Sequence, residues 1–206
     1  MKIVIVGGGT AGWLSSLFLA NINRRDEKNP LYDITVVESE DIPIIGAGEG
    51  STGAMSLALL NTLKDLEGLS EQTFFEECGT TFKLGIECKD WNGIGDSYFE
   101  PIQPTKTWEL PIDVDFCISK KYKDASYGTF NRVLWDNNLS AFSKDGTIGD
   151  EGYAYHFDAH KVGEYFKKVA LKNGVKLQKG TVSNTKLNPK NGELDKVILS
   201  DGTEIE

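Results

Sequence analysis

The stretch Ile3-Val4-Ile5-Val6-Gly7-Gly8-Gly9-Thr10-Ala11-Gly12-Trp13 decides how the fold begins. Four β-branched residues read as a buried strand, and after the glycines the apolar positions Ala11, Leu14, Phe18 and Ile22 keep helical spacing. Between strand and helix lies Gly7-x-Gly9-x-x-Gly12, in which each glycine has a separate task. Gly7 makes the tight turn, Gly9 lets the backbone approach a pyrophosphate, and Gly12 lets helix and strand pack closely. The helix N-terminus adds free N–H groups and the positive end of a dipole. A purely structural glycine turn would satisfy the same local pattern, so the next strand carries weight.

Outward from there, the polar run Asn23 to Pro30 ends the helix, and Asp33-Ile34-Thr35-Val36-Val37-Glu38 reads as a second strand closing on an acid. The result is a βαβ unit whose crossover is expected to be right-handed. Glu38 lies 26 residues past Gly12, where a carboxylate accepts hydrogen bonds from a ribose hydroxyl pair. An acid there disfavours a 2′-phosphate, so FAD or NAD fits better than NADP.

Farther along, Ser51 is expected to N-cap a helix over 52–66, a short helix is expected from Ser70 to Glu77, and 81–91 alternates as one strand. Residues 92–150 show no clear period and read as an insertion or lid. Asp158 suits the N-cap of a helix with inward positions Ala159, Val162, Phe166, Val169 and Ala170, stopped by Asn173-Gly174. Strands follow near 175–179, 181–187 and 193–199, and Asp201-Gly202 signals a hairpin turn.

Composition narrows the function classes. The 206 residues carry a net charge of −9 with acids and bases interspersed, which argues against nucleic acid as a partner. No apolar run is long enough to cross a bilayer, and the N-terminus has the wrong flanks for a signal peptide, so a soluble, cytoplasmic protein is expected. The three cysteines, Cys78, Cys88 and Cys117, are too far apart for a zinc knuckle and are expected to be reduced.

Three features have a plain reading beside a functional one. Gly46-Ala47-Gly48-Glu49-Gly50 serves equally as a flexible loop before a helix. Lys83 reads as a solvated strand lysine. His156 and His160 are spaced i, i+4, yet an N-cap at Asp158 leaves His156 outside the helix, so no metal site is expected.

Taken together, four segments resemble the flavin-dependent halogenases of the tryptophan-halogenase type. They are Gly7 to Trp13; Ile42-Pro43-Ile44-Ile45-Gly46-Ala47-Gly48-Glu49 with Ser51-Thr52; Phe82-Lys83 with Trp91 eight residues on; and His156-Phe157-Asp158-Ala159-His160. The resemblance implies an α/β fold: a Rossmann-like FAD-binding domain of the flavin-monooxygenase (glutathione-reductase-like) type, with an inserted, partly irregular substrate region. It implies FAD used as FADH2, with O2 and a halide ion, chloride or bromide, as co-substrates, and hypohalous acid delivered by Lys83, which either holds the halogen as a haloamine or hydrogen-bonds the acid, to an electron-rich aromatic small molecule. A lysine in a dry pocket suits that role, because low dielectric strengthens any polarising contact. The implied cofactor contacts are Gly7, Gly9, Thr10, Ala11, Gly12, Trp13, Glu38, Gly46, Ala47, Gly48, Glu49 and Val182, the 46–49 loop being a strap between flavin and substrate sites. A separate flavin reductase is the implied partner, and a homodimer is compatible.

On this reading 1–80 form the dinucleotide-binding core and strap, 81–155 a substrate-side insertion, and 156–206 a return to the FAD domain. Two departures stand out. The strap has Ala47 where the family has a bulkier residue, and Gly50 where it has a small apolar one. The family's Trp-x-Trp-x-Ile-Pro motif, halide site and partner carboxylate are not within these residues, so the chain is expected to be the N-terminal part of a longer protein. Rival readings are another flavin monooxygenase or oxidoreductase of the same fold, and a flavin-binding fragment without turnover.

Overall fold

The computed structural model describes residues 1–26, 29–46, 48–91, 93–102, 130–141 and 153–206. In chain order the elements are β1 (Lys2–Val6), α1 (Thr10–Asn23), β2 (Asp33–Glu38), β3 (Gly48–Gly50), α2 (Gly53–Leu57) with a π-helical turn at Ala58–Thr62, and α3 (Glu71–Cys78). Then come β4 (Thr81–Lys83), β5 (Gly85–Lys89), β6 (Ser97–Pro101), α4 (Phe130–Asp136), β7 (Ala154–Asp158) and α5 (Ala159–Lys172). The described chain closes with β8 (Lys176–Lys179), β9 (Val182–Leu187), β10 (Leu194–Leu199) and β11 (Glu204–Ile205).

The chain divides into two units, the first made of Met1–Glu49, Leu59–Gly79 and Phe157–Glu206. Its main sheet is parallel in the order β1-β2-β8, with Val6 opposite Val37 and Glu38 opposite Lys179. Helix α1 makes the crossover from β1 to β2, α5 leads directly into β8, and the two helices pack on each other. This is the Rossmann-like α/β arrangement expected from the βαβ pattern. Val36, Leu17, Trp13, Val162 and Phe166 have no exposed surface and form the core. Phe74 of α3 completes it, stacking on Phe166 at 5.9 Å and meeting Tyr165 edge-on at 5.8 Å. Helix α3 is fixed at both ends: Ser70 closes a capping box with Thr73, and Gly79 takes the left-handed conformation at φ 62°. An antiparallel sheet, β9-β10-β11, follows.

The second unit is Gly50–Ala58 with Thr80–His156. Within it β4 pairs antiparallel with β7, placing Lys83 opposite Ala154 and Thr81 opposite His156, and β5 pairs antiparallel with β6. Buried Asn131 ties α4 to both ends of that hairpin, donating to the carbonyls of Leu84 at 2.7 Å and Ile102 at 2.6 Å.

Several elements differ from expectation for identifiable reasons. The buried face of α1 is Trp13, Ser16, Leu17 and Ala20, whereas Ala11 and Phe18 face outward. Apolar residues occur almost all round this helix, so spacing alone did not select the face. The helix expected over 52–66 stops being α-helical at Leu57. A π turn widens the register there, and Leu59, Leu63 and Leu66 are buried. Ser51 is not its cap: that place is Thr52's, and the Ser51 hydroxyl instead accepts from the Tyr155 N–H at 3.0 Å. The single strand expected over 81–91 is broken at Leu84, because its halves pair with different partners. In the stretch read as irregular, β6 and α4 are regular, and residues 103–129 and 142–152 lie outside the described part. Strand β7 was not anticipated, while the Asp158 cap and the buried face of α5 are as expected.

Candidate functional site

In the first unit, β1 and β2 end side by side, and their carboxyl ends open onto a cleft of about 430 Å³. Its walls are Val6, Gly7, Gly8 and Gly9, then Val37, Glu38 and Ser39, the strap residues Ile42 to Ile45, and Gly180 and Val182. That volume suits a small-molecule site, and the carboxyl ends of a parallel sheet are where such ligands bind. A larger cleft of about 560 Å³, bounded by Met1, Asp33 and Gly174, opens at the amino ends of the same strands, the side this rule disfavours.

The loop geometry follows the glycine argument residue by residue. Gly7 has φ 117°, a conformation few other residues adopt. A Cβ on Gly12 would collide with the Gly7 carbonyl oxygen, so only glycine permits this approach of helix to strand. Around Gly9 the space is open. Gly9 is the N-cap of α1 and no side chain caps the helix, which leaves the first-turn amides, those of Thr10 and Ala11 among them, for an anion. Thr10 and Ala11 do not line the cleft itself. Trp13 is fully buried and reaches the site only through its indole N–H, 3.5 Å from Glu38 Oε1.

Two participants escaped the sequence reading. Gly8, the glycine the fingerprint leaves free, has the Glu38 side chain lying where its Cβ would be. Lys167, on α5, donates to Glu38 Oε2 at 2.5 Å. A sequence signal existed only for α5's apolar face, and 129 residues separate the pair.

The strap is held locally in the same unit. Gly46 has no room for a side chain, because Glu49 Oε1 and the Ala159 Cβ occupy it, and Ile44 presses on Gly163. Gly48 and Glu49 are exposed, and Ala47 lies outside the described residues.

In the second unit, β4 presents Lys83 half-buried, with Nζ donating to the Ser51 carbonyl at 3.1 Å. The point where a Gly50 side chain would begin is 3.3 Å from both Lys83 Nζ and His156 Nδ1. Burial, and then the positive charge of Lys83, hold the His156 imidazole below its ordinary pKa. Lys83, Ser51, Gly50 and His156 thus form a compact polar group, of which only Lys83 was anticipated as catalytic. His156 sits on β7 and His160 in the first turn of α5, so they are not successive turns of one helix. Among the described residues no three His, Cys, Asp or Glu side chains gather as a metal site.

Fold and cleft define an α/β protein of the dinucleotide-binding class. The tryptophan halogenase family profile matches residues 2–206, and the chain belongs to that family. It is 27% identical over 222 residues to the tryptophan 7-halogenase RebH of Lentzea aerocolonigenes, covering 98% of this chain and 40% of that protein. The solved tryptophan 6-halogenase SttH of Streptomyces toxytricini superposes with a TM-score of 0.79 at 26% identity, over 99% of this chain and 40% of its own. A tryptophan halogenase from Shewanella frigidimarina gives 0.76 at 28% identity, over 100% and 40%. The chain therefore spans about two fifths of the length of these relatives. Among the described residues no helix is long and apolar enough to cross a membrane.

Proposed function

We propose that the protein carrying this chain halogenates an electron-rich, indole-like aromatic molecule, using reduced FAD, O2 and chloride or bromide. The observation that carries the reading is the pairing, in one chain matched by the halogenase family almost end to end, of a glycine-walled cleft with a half-buried strand lysine. The cleft fits FAD: glycine walls at Gly7, Gly8 and Gly9, a helix that Gly12 lets pack close behind them, uncapped helix amides, and an acid at the ribose position.

Reduced FAD, when bound, passes two electrons to O2 and so supplies the oxidant that turns halide into hypohalous acid. The chain's residues do the rest. The turn at Gly7 and the first-turn amides of Thr10 and Ala11 after Gly9 would hold the diphosphate, and Glu38 would accept from the ribose. Gly46, Gly48 and Glu49 would stand near the flavin ring and Val182 would contact the cofactor, while the Trp13 indole N–H approaches Glu38. Lys83 points an N–H at the hypohalous oxygen, making the halogen more electrophilic as the ring attacks it. The ring loses a proton, the carbon–halogen bond forms and water leaves. A cytoplasmic setting with a separate flavin reductase supplies the reduced cofactor.

The test is to give the protein reduced flavin, O2 and bromide or chloride with a panel of indoles and phenols. Halogenated product from the wild type and none from Lys83→Ala supports the reading. Hydroxylated product without a halide requirement, or a Lys83→Ala variant as active as the wild type, refutes it.

A further inference from the structure

The dinucleotide fingerprint assigns Glu38, which lines the cleft, but not Lys167, which holds it from behind the lining. Glu38 lines the cleft at the end of β2, and its side chain is only 17% exposed. Its stem lies across Gly8, Lys167 Nζ holds Oε2, and the Trp13 indole N–H approaches Oε1. Lys167 is itself 21% exposed on the side chain, with Glu164 4.0 Å away as a weaker second partner. The carboxylate is therefore directed from two sides by donors on two different helices.

We propose that Lys167 is a positioning residue for the cofactor's ribose, orienting Glu38 as the acceptor and offsetting its charge; this rests on the FAD reading above. A free glutamate at a cleft mouth samples several rotamers, and freezing it on binding costs affinity. Here the rotamer is fixed beforehand. A carboxylate has about four lone-pair sites, so with Lys167 and Trp13 each using one, about two remain for a 2′,3′-diol. Charge makes a second argument. A bare carboxylate beside the diphosphate would repel it, and the ammonium at ion-pair distance cancels most of that field. Gly8 belongs to the same device, since a side chain there would displace Glu38.

The experiment compares ADP with 2′-deoxy-ADP as competitors of FAD binding, in wild type, Lys167→Met, Lys167→Arg and Glu38→Gln. The wild type is expected to prefer ADP by on the order of tenfold, the scale of a hydrogen bond to a charged acceptor. Lys167→Met should lose most of that preference, and Lys167→Arg should restore it because an ion pair can re-form. A purely structural lysine would weaken both competitors alike and leave the ratio intact, and an unchanged ratio in Lys167→Met overturns the proposal. A wild type that binds FAD but does not discriminate the two competitors, with Glu38→Gln behaving the same, removes the ribose role of Glu38 and the proposal with it. No FAD binding by the wild type would instead refute the cofactor reading beneath both.

Discussion

Lys83 and Gly50 are mutually fitted: the lysine Nζ lies 3.3 Å from where a Gly50 side chain would begin, and its δ-carbon 3.4 Å from the same point. That is tighter than most real Cβ contacts, and the atoms that must yield are the end of the flexible Lys83 side chain and, at the same 3.3 Å, Nδ1 of the exposed His156 ring. Gly50→Ala should therefore leave stability within about 0.5 kcal/mol. It should lower halogenation about threefold, because Lys83 must give by a few tenths of an ångström and misplacing a reacting group by a full ångström costs about a hundredfold. A thermal melt and a turnover assay check both halves, and unchanged turnover would count against Lys83 as the delivering group.

His156 supplies a pH signature. Its folded-state pKa lies below the ordinary value of 6.5, through burial and then the charge of Lys83. The folded protein thus binds this proton less readily than the unfolded chain. Above the ordinary value His156 is neutral in both states and contributes nothing. As pH falls below it, stability declines until the folded imidazole also protonates. Chemical denaturation across pH 7.5 to about 5 should show that decline, and His156→Gln should flatten it. An identical slope in the variant would show that other groups dominate.

Cys78 should be chemically silent. It has no exposed surface, and burial, with Glu77 adding to it, pushes its thiol up to about 12. At about pH 8 only on the order of one in ten thousand is thiolate. Native-state alkylation followed by peptide mapping should find Cys88, which is half-buried, labelled before Cys78. Rapid labelling of Cys78 would mean that α3 opens readily.

How much of this was legible depended on the range of the physics. The β1–α1 turn could be read because each glycine's role is local, and Asp158 because a cap needs only the amides two and three residues on, those of His160 and Lys161. The buried face of α1 was misread because Leu14, Leu17 and Phe18 offer competing stripes, which only packing against α5 resolves. The break at Leu84 depends on which distant strands pair on either side, which no window of sequence contains. Lys167 looked like any helix-surface cation, and its meeting with Glu38 requires the crossover that brings α5 over the sheet. His156 was weighed only as a metal ligand with His160, since its nearness to Lys83 depends on the pairing of β4 with β7.

The account's central claim is that the diphosphate of FAD lies against the Gly7–Gly12 loop, and Gly9 tests it most directly. Its backbone, φ −79°, suits any residue, and nothing lies within 4 Å of where its Cβ would stand, so Gly9→Val costs the fold only a poorer N-cap, about 1 kcal/mol. The valine would occupy the cleft instead. Titrated with FAD and followed by flavin fluorescence, the wild type should bind, and Gly9→Val should bind about a hundredfold more weakly, a loss of about 2.7 kcal/mol, with a melting temperature only a few degrees lower. Equal FAD affinity in wild type and variant would contradict the account.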